Sequence, residues 1–310
     1  MILSASRRTD LPAWYYEWFL ERLKAGFVLV RNPFSYHQIS RISLCPEQID
    51  GIVFWSKNPE PMLRHPEPLF RFPSYLHFTL NAYGKETEPG LPPVKDRIQV
   101  FQRLSSLLGQ ERILWRYDPV LLSDNYTVSW HKKRFAALCA SLSGFTSLCT
   151  FSFLDLYPKI TRRLHSHGIR PLTSQEETEL VCYFAETAAR YEITAATCAE
   201  LLDTEESGIL KGACIDAGRL EKIGGIQLSV PQDRNQRSGC NCCESIDIGQ
   251  YHTCRSGCIY CYANFSSERT LREASRYRKE APLLCSECEE GDRIRERAIK
   301  VYRDPQFRFL

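Results

Sequence analysis

Three cysteines in Cys254-Arg255-Ser256-Gly257-Cys258-Ile259-Tyr260-Cys261 stand at C-x3-C-x2-C spacing, and no other stretch of the 310 residues constrains the chain as tightly. Soft thiolates suit iron–sulfur centres. Three of them on one turn can hold three corners of a four-iron cluster, leaving one iron open to a small molecule. Zinc also takes short cysteine spacings, but it closes a tetrahedron, usually from two separated pairs, and this triplet has no fourth ligand at the usual distance. The spacing therefore predicts a [4Fe-4S] cluster on Cys254, Cys258 and Cys261.

With an aromatic residue, Tyr260, just before its third cysteine, the triplet resembles the motif of radical S-adenosylmethionine (SAM) enzymes. Those proteins carry the motif near the start of the domain, after the first barrel strand. Here it lies within the last sixty residues.

Fourteen cysteines without an export signal point to metal or redox chemistry in a reducing compartment, and away from a disulfide framework. Eight of them fall between Cys240 and Cys288. Cys198, Cys214, Cys240 and Cys242, with Cys243 as a spare, form a second group for which an auxiliary cluster, a structural zinc and plain buried thiols all stay open. Cys285 and Cys288 form a C-x2-C without a second pair and are read as incidental. Cys45, Cys139, Cys149 and Cys182 are expected as small core residues.

The start, Met1-Ile2-Leu3-Ser4-Ala5-Ser6-Arg7-Arg8, has no basic segment followed by an apolar one, and no apolar run approaches the ~20 residues of a membrane helix. A cytoplasmic protein without a membrane partner is expected. A net charge of +3 allows a nucleic-acid substrate without indicating one. Arg269–Arg303 mixes ten basic with seven acidic residues, the pattern of a solvated helical face.

Strand and helix patterns alternate along most of the chain. Ile2–Ser6, Gly51–Trp55, Tyr75–Leu80, Ile113–Tyr117, Ser147–Phe153, Ile193–Thr197 and Ser245–Gly249 read as strands, and Ala13–Ala25, Val94–Leu108, Val128–Leu142 and Ser174–Arg190 as helices. A hairpin over Phe27–Arg31 and Gln38–Leu44 decorates one connection. This alternation predicts an α/β fold with a parallel sheet, a barrel or a doubly wound sheet. In a barrel the chemistry sits where the strands end. The residues there are polar: Ser4, Ser6, Arg7, Arg8, Asp10, Lys57, Asn58, Asn81, Arg116, Asp118, Asp155 and Glu200. Taken singly, Asp10 reads as a helix cap, Asp118-Pro119 as a turn and any one arginine as a solvated rim charge; six strand ends in succession carrying such residues point to a site.

Radical SAM domains resemble a partial (β/α) TIM-like barrel whose first strand leads into the cysteine loop and whose second ends in a small-residue motif that contacts SAM. Here the cysteine strand comes last and the first strand ends in Ser4–Asp10, so the order looks circularly permuted. First and last barrel strands are neighbours, which makes such a permutation tolerable. Residues 1–265 are expected as one such barrel, with a loop-rich insert at about 203–244, and 266–310 as a helical extension. Ser6-Arg7-Arg8-Thr9-Asp10, Lys57-Asn58-Pro59, Arg116-Tyr117-Asp118-Pro119 and Ser245-Ile246-Asp247-Ile248-Gly249 together resemble a family of domains of unknown function, DUF1848, whose members are described as radical-SAM-like.

The resemblance implies a [4Fe-4S] cluster that binds SAM and, after one-electron reduction by an external donor of the flavodoxin or ferredoxin type, yields a 5′-deoxyadenosyl radical that acts on an unidentified substrate. It makes Arg7, Arg8, Lys57 and Arg116 candidates for the SAM carboxylate or an anionic substrate, and Ser4, Ser6 and Asp10 for the SAM amino or ribose groups, with Tyr260 beside the cofactor. A non-catalytic iron–sulfur or zinc protein is the alternative. A narrower one is nucleic-acid repair of the spore-photoproduct-lyase type, or sulfur insertion, because Tyr260-Cys261-Tyr262-Ala263 is similar to that lyase group.

Overall fold

The computed structural model describes residues 1–198, 208–237 and 239–304. Eight parallel strands form its main sheet: β1 (Ile2–Ala5), β4 (Gly51–Ser56), β5 (Ser74–Thr79), β6 (Ile113–Val120), β7 (Leu148–Phe153), β8 (Thr194–Thr197), β9 (Leu210–Lys211) and β10 (Ile246–Asp247). The order across the sheet is β10-β1-β4-β5-β6-β7-β8-β9. The hairpin of β2 (Phe27–Arg31) and β3 (Gln38–Ser43) is joined by β11 (Arg293–Glu296) in a second, three-stranded sheet.

Nine helices are present among the described residues: α1 (Leu11–Trp14), α2 (Tyr16–Ala25), α3 (Glu67–Arg71), α4 (Val94–Leu108), α5 (Val128–Leu142), α6 (Pro158–Ser166), α7 (Ser174–Arg190), α8 (Ala217–Gly224) and α9 (Ser267–Ser275). The long ones fall where apolar spacing and capping residues put them. Thr127 caps α5 by accepting from Trp130 N–H at 3.1 Å, and Thr173 and Glu176 form a capping box on α7. The run expected from Ala13 to Ala25 is broken at Tyr15 into α1 and α2.

Strand residues alternate between two faces. One face carries Leu3, Ile52, Phe54, Leu76, Phe78, Trp115 and Phe151 into the main apolar core beneath the helices. The other is apolar at the strand starts, where Ile2, Val53, Tyr75 and Leu114 pack on Leu220 of α8, and at Trp55 of β4. Two and four residues further along, the same face turns polar, with Ser4 and Ser6, His77 and Thr79, Arg116 and Asp118, and Thr150 and Ser152. The parallel sheet thus assembles a polar surface at the carboxyl ends of its strands.

The sheet is not closed by strand pairing: among the described residues β9 and β10 are its two edges. Loops meet between them, where Cys243 N–H donates to Ile215 O at 3.0 Å. The loop-rich insert also holds a helix, α8, and the short strand β9. Among the described residues the expected helical extension contributes one helix, α9. Beyond it Arg293-Ile294-Arg295-Glu296 runs as a strand paired parallel to β3. Cys139 and Cys149 are buried as expected, whereas Cys45 and Cys182 are exposed. Cys182 lies on the side of α7 away from Val181 and Phe184, and Cys45 lies in the turn before Pro46. No helix among the described residues is long and apolar enough to cross a membrane.

Candidate cofactor-binding cavity

A cavity of 840 Å³ opens over the polar strand ends. Cys254, Cys258 and Cys261 line it together with Ser6, Arg7, Arg8, Asp10, Lys57, Arg116 and Tyr260. Ser4 does not line it. That hydroxyl is buried and donates to Asp247.

The cysteine loop lies beside Ser4–Asp10 because β10, which leads into it, pairs with β1 in the register Leu3 to Ile246 and Ser4 to Asp247. Asp247 then gathers the first turn. It accepts from Ser4 Oγ at 2.6 Å, Ser6 Oγ at 2.8 Å and the Arg7 amide at 2.8 Å, and Arg8 Nε stands 3.8 Å away. Gly249 packs so closely on Ser6 that a Cβ would lie 2.6 Å from Ser6 Cβ, so no larger residue fits. The loop is clamped further by Trp14 Nε1, which donates to Ser256 Oγ at 3.1 Å, and by Tyr262, whose hydroxyl donates to Arg7 O at 2.6 Å.

From the other side the loop after β5 docks on the cysteines. Ile259 N–H donates to Thr87 O at 3.1 Å and Gly90 N–H to Ser256 O at 2.9 Å. This loop brings in Glu88, a buried carboxylate that sequence reading missed. It accepts from Lys57 Nζ at 3.0 Å, from Arg97 at 3.4 Å and from the Tyr260 hydroxyl. Burial opposes its ionisation, but Lys57 and Arg97 outweigh burial and hold Glu88 below the usual carboxylate range. Burial likewise works against the Lys57 ammonium, and Glu88 keeps it above its ordinary value. Nothing in the local pattern Glu86-Thr87-Glu88-Pro89 separates Glu88 from an ordinary loop acid, since its partners come from distant elements.

Asp10 is both helix cap and tether. One oxygen accepts from Ala13 N–H at 3.1 Å and the other from Lys57 N–H at 2.8 Å, and burial raises its pKa. Arg116 turns away from the triplet: it donates to Cys214 Sγ at 3.0 Å and to Asp118 at 3.0 Å. Asp118 also accepts from Ser152. Arg7 reaches Gln236 Oε1 at 3.1 Å and lies over the Trp55 ring, while Arg8 lies over Tyr251. Asn81 bridges Asp118 and Glu88 from within the core, and Asp155 pairs with Arg237. Glu200 lies outside the described residues.

The second cysteine group lines the same cavity. Cys198, Cys214, Cys240 and Cys242 all contribute to its wall, with Cys198 Sγ and Cys214 Sγ 3.0 Å apart. Cys243 does not line the cavity, and it shares with Cys198, Cys214 and Cys242 the small apolar cluster around Tyr75 and Leu220. Among the described residues, no three His, Cys, Asp or Glu side chains stand ready to enclose a single metal ion.

The sequence model of the family described as Domain of unknown function (DUF1848) matches residues 2–263, from the first strand through the cysteine loop. The chain belongs to the DUF1848 family. No curated protein and no solved structure matches it. The match ends two residues after Cys261, so the DUF1848 unit spans both cysteine groups and the whole main sheet, and leaves out α9 and β11.

For a [4Fe-4S] cluster the DUF1848 triplet offers a fitting donor set: three soft thiols on one loop, all facing open cavity. Burial raises all three, Cys254 to about 12, so a bound metal would have to displace their protons. Thr9 Oγ1 lies buried at the same wall without a hydrogen-bond partner.

Proposed function

We propose that this DUF1848 protein is a radical SAM enzyme whose Cys254, Cys258 and Cys261 hold a [4Fe-4S] cluster. One observation carries the reading: the C-x3-C-x2-C loop follows a strand of a parallel sheet and faces an 840 Å³ cavity at the carboxyl ends of the neighbouring strands. When bound, the cluster supplies reductive cleavage of SAM to a 5′-deoxyadenosyl radical, driven by an external one-electron donor.

The chain's own residues position and orient. The Lys57–Glu88–Arg97 group, with Tyr260, fixes the cysteine loop from one side, and Asp247 fixes the Ser6–Arg8 turn from the other. Arg7 and Arg8 present cationic groups at the cavity wall for the carboxylate of SAM, and the free Thr9 hydroxyl and the carboxylate of Asp10 suit its amino or ribose groups. Arg116, committed to Cys214 and Asp118, serves the substrate side of the cavity.

We read the sheet as a partial (β/α) barrel, circularly permuted so that its first strand, β10, is last in sequence. Supporting this are the strand order β10-β1-β4-β5-β6-β7 and the loop contact between the sheet's two edges. Electron paramagnetic resonance of the anaerobically reconstituted, dithionite-reduced protein tests the cofactor assignment. A cluster signal that changes on adding SAM is expected; a signal indifferent to SAM contradicts it.

A further inference from the structure

We infer that Cys198, Cys214, Cys240 and Cys242 form a second iron–sulfur site in the same cavity, held by four protein thiolates. These cysteines come from three separate segments: Cys198 follows β8, Cys214 follows β9, and Cys240 and Cys242 lie on the approach to β10. Their sulfurs form a continuous row. Cys198 meets Cys214 at 3.0 Å, Cys214 meets Cys242, and Cys242 meets Cys240.

The backbone is arranged to keep them there. Tyr75 and His77 each donate to Cys214 O at 2.8 Å, and Ile215 N–H points at Cys242 Sγ at 3.4 Å. Gln232 donates to Cys240 O at 2.8 Å and Arg237 to Cys198 O at 3.1 Å. Holding four thiols from three segments side by side costs conformational entropy. Arg116 donates to Cys214 Sγ at 3.0 Å. Asp118 balances Arg116 on one side, and a four-thiolate centre would place further negative charge against its other side.

The ligand class follows from softness and space. Four thiolates select zinc or an iron–sulfur cluster. A single zinc with sulfurs at about 2.3 Å needs them about 3.8 Å apart on every edge of a closed tetrahedron. The described residues hold no such single-ion arrangement. The sulfurs sit in a row along open cavity, where a polynuclear core has room to part them.

The site is independent of the SAM reading, since the two use different cysteines, and the test separates them. The Cys254→Ala/Cys258→Ala/Cys261→Ala variant and the Cys198→Ser/Cys214→Ser/Cys240→Ser/Cys242→Ser variant are reconstituted anaerobically with ferrous iron and sulfide, beside the wild type. Iron and sulfide near eight per wild-type chain and near four in the triple variant are expected, with a four-iron Mössbauer spectrum in the latter. The triple variant keeps every residue of the second site, so it reads that site whatever the folding of the quadruple variant. A triple variant without iron and sulfide overturns the proposal, as does one zinc per chain or a Cys198–Cys214 disulfide in the anaerobically purified protein. Iron retained only by the quadruple variant would leave the SAM site standing alone; iron retained only by the triple variant would leave the second site standing alone.

Discussion

The Ser4 hydroxyl donates to Asp247 at 2.6 Å, joining positions 243 residues apart. This contact sets the end of the first strand beside the strand that feeds the cysteine loop, and everything at the cavity wall is built out from it. Asp247 is the acceptor for two hydroxyls and for the amides of Arg7 and Gly249. Replacing it with Ala strands these donors at once, and a loss of about 3 kcal/mol or more is expected in urea unfolding. Ser4→Ala should cost only about 1 kcal/mol, because Asp247 keeps its other donors.

Glu88 has a different role, as the counter-charge of two buried cations. Glu88→Gln leaves Lys57 and Arg97 without a carboxylate, and a destabilisation of about 3–5 kcal/mol is expected from thermal melting. Tyr260→Phe removes the hydrogen bond to Glu88 and the weaker one from Asn81 at 3.4 Å, and should cost about 1–2 kcal/mol.

Gly90 lets the loop after β5 press against the cysteine loop. A Cβ there would lie 2.7 Å from the carbonyl oxygens of Arg255 and Ser256, both backbone atoms that cannot swing aside. Gly90→Ala should destabilise the protein by about 1–3 kcal/mol and lower its iron content after reconstitution. Unchanged iron would show that the loop tolerates the shift.

His131 predicts an acid sensitivity that does not depend on the cysteines. It is buried between Tyr117 and Leu121 O, each 2.8 Å away, and burial pushes its pKa down to about 4. The unfolded chain therefore takes up a proton near pH 6.5 that the folded chain refuses, so stability falls as the pH drops from there toward 4. The loss from this group between pH 7 and pH 5 is about 2 kcal/mol. Urea midpoints of His131→Gln should be correspondingly flatter over that range.

The sequence showed most of what is local or periodic. Val94–Leu108, Val128–Leu142 and Ser174–Arg190 are helices at the expected residues, and the polar strand ends do converge. The adjacency of the cysteine loop and Ser4–Asp10 was expected from the resemblance to radical SAM barrels, and β10 does pair with β1. Features that depend on tertiary partners were not. Glu88 looks like any loop acid until Lys57, Arg97 and Tyr260 surround it. Ser4 looks available until Asp247 takes its hydroxyl, and Arg116 looks like a carboxylate binder until Cys214 is found beside it. The strand β11 hides in a charged stretch because it pairs at the outer edge of the small sheet, where both of its faces are exposed.

The central claim is tested most directly by incubating the anaerobically reconstituted protein with SAM and dithionite and measuring 5′-deoxyadenosine. The account predicts 5′-deoxyadenosine from the wild type and none from Cys258→Ala. A wild type that carries its cluster yet forms no 5′-deoxyadenosine, or a Cys258→Ala variant that forms it normally, would contradict the account.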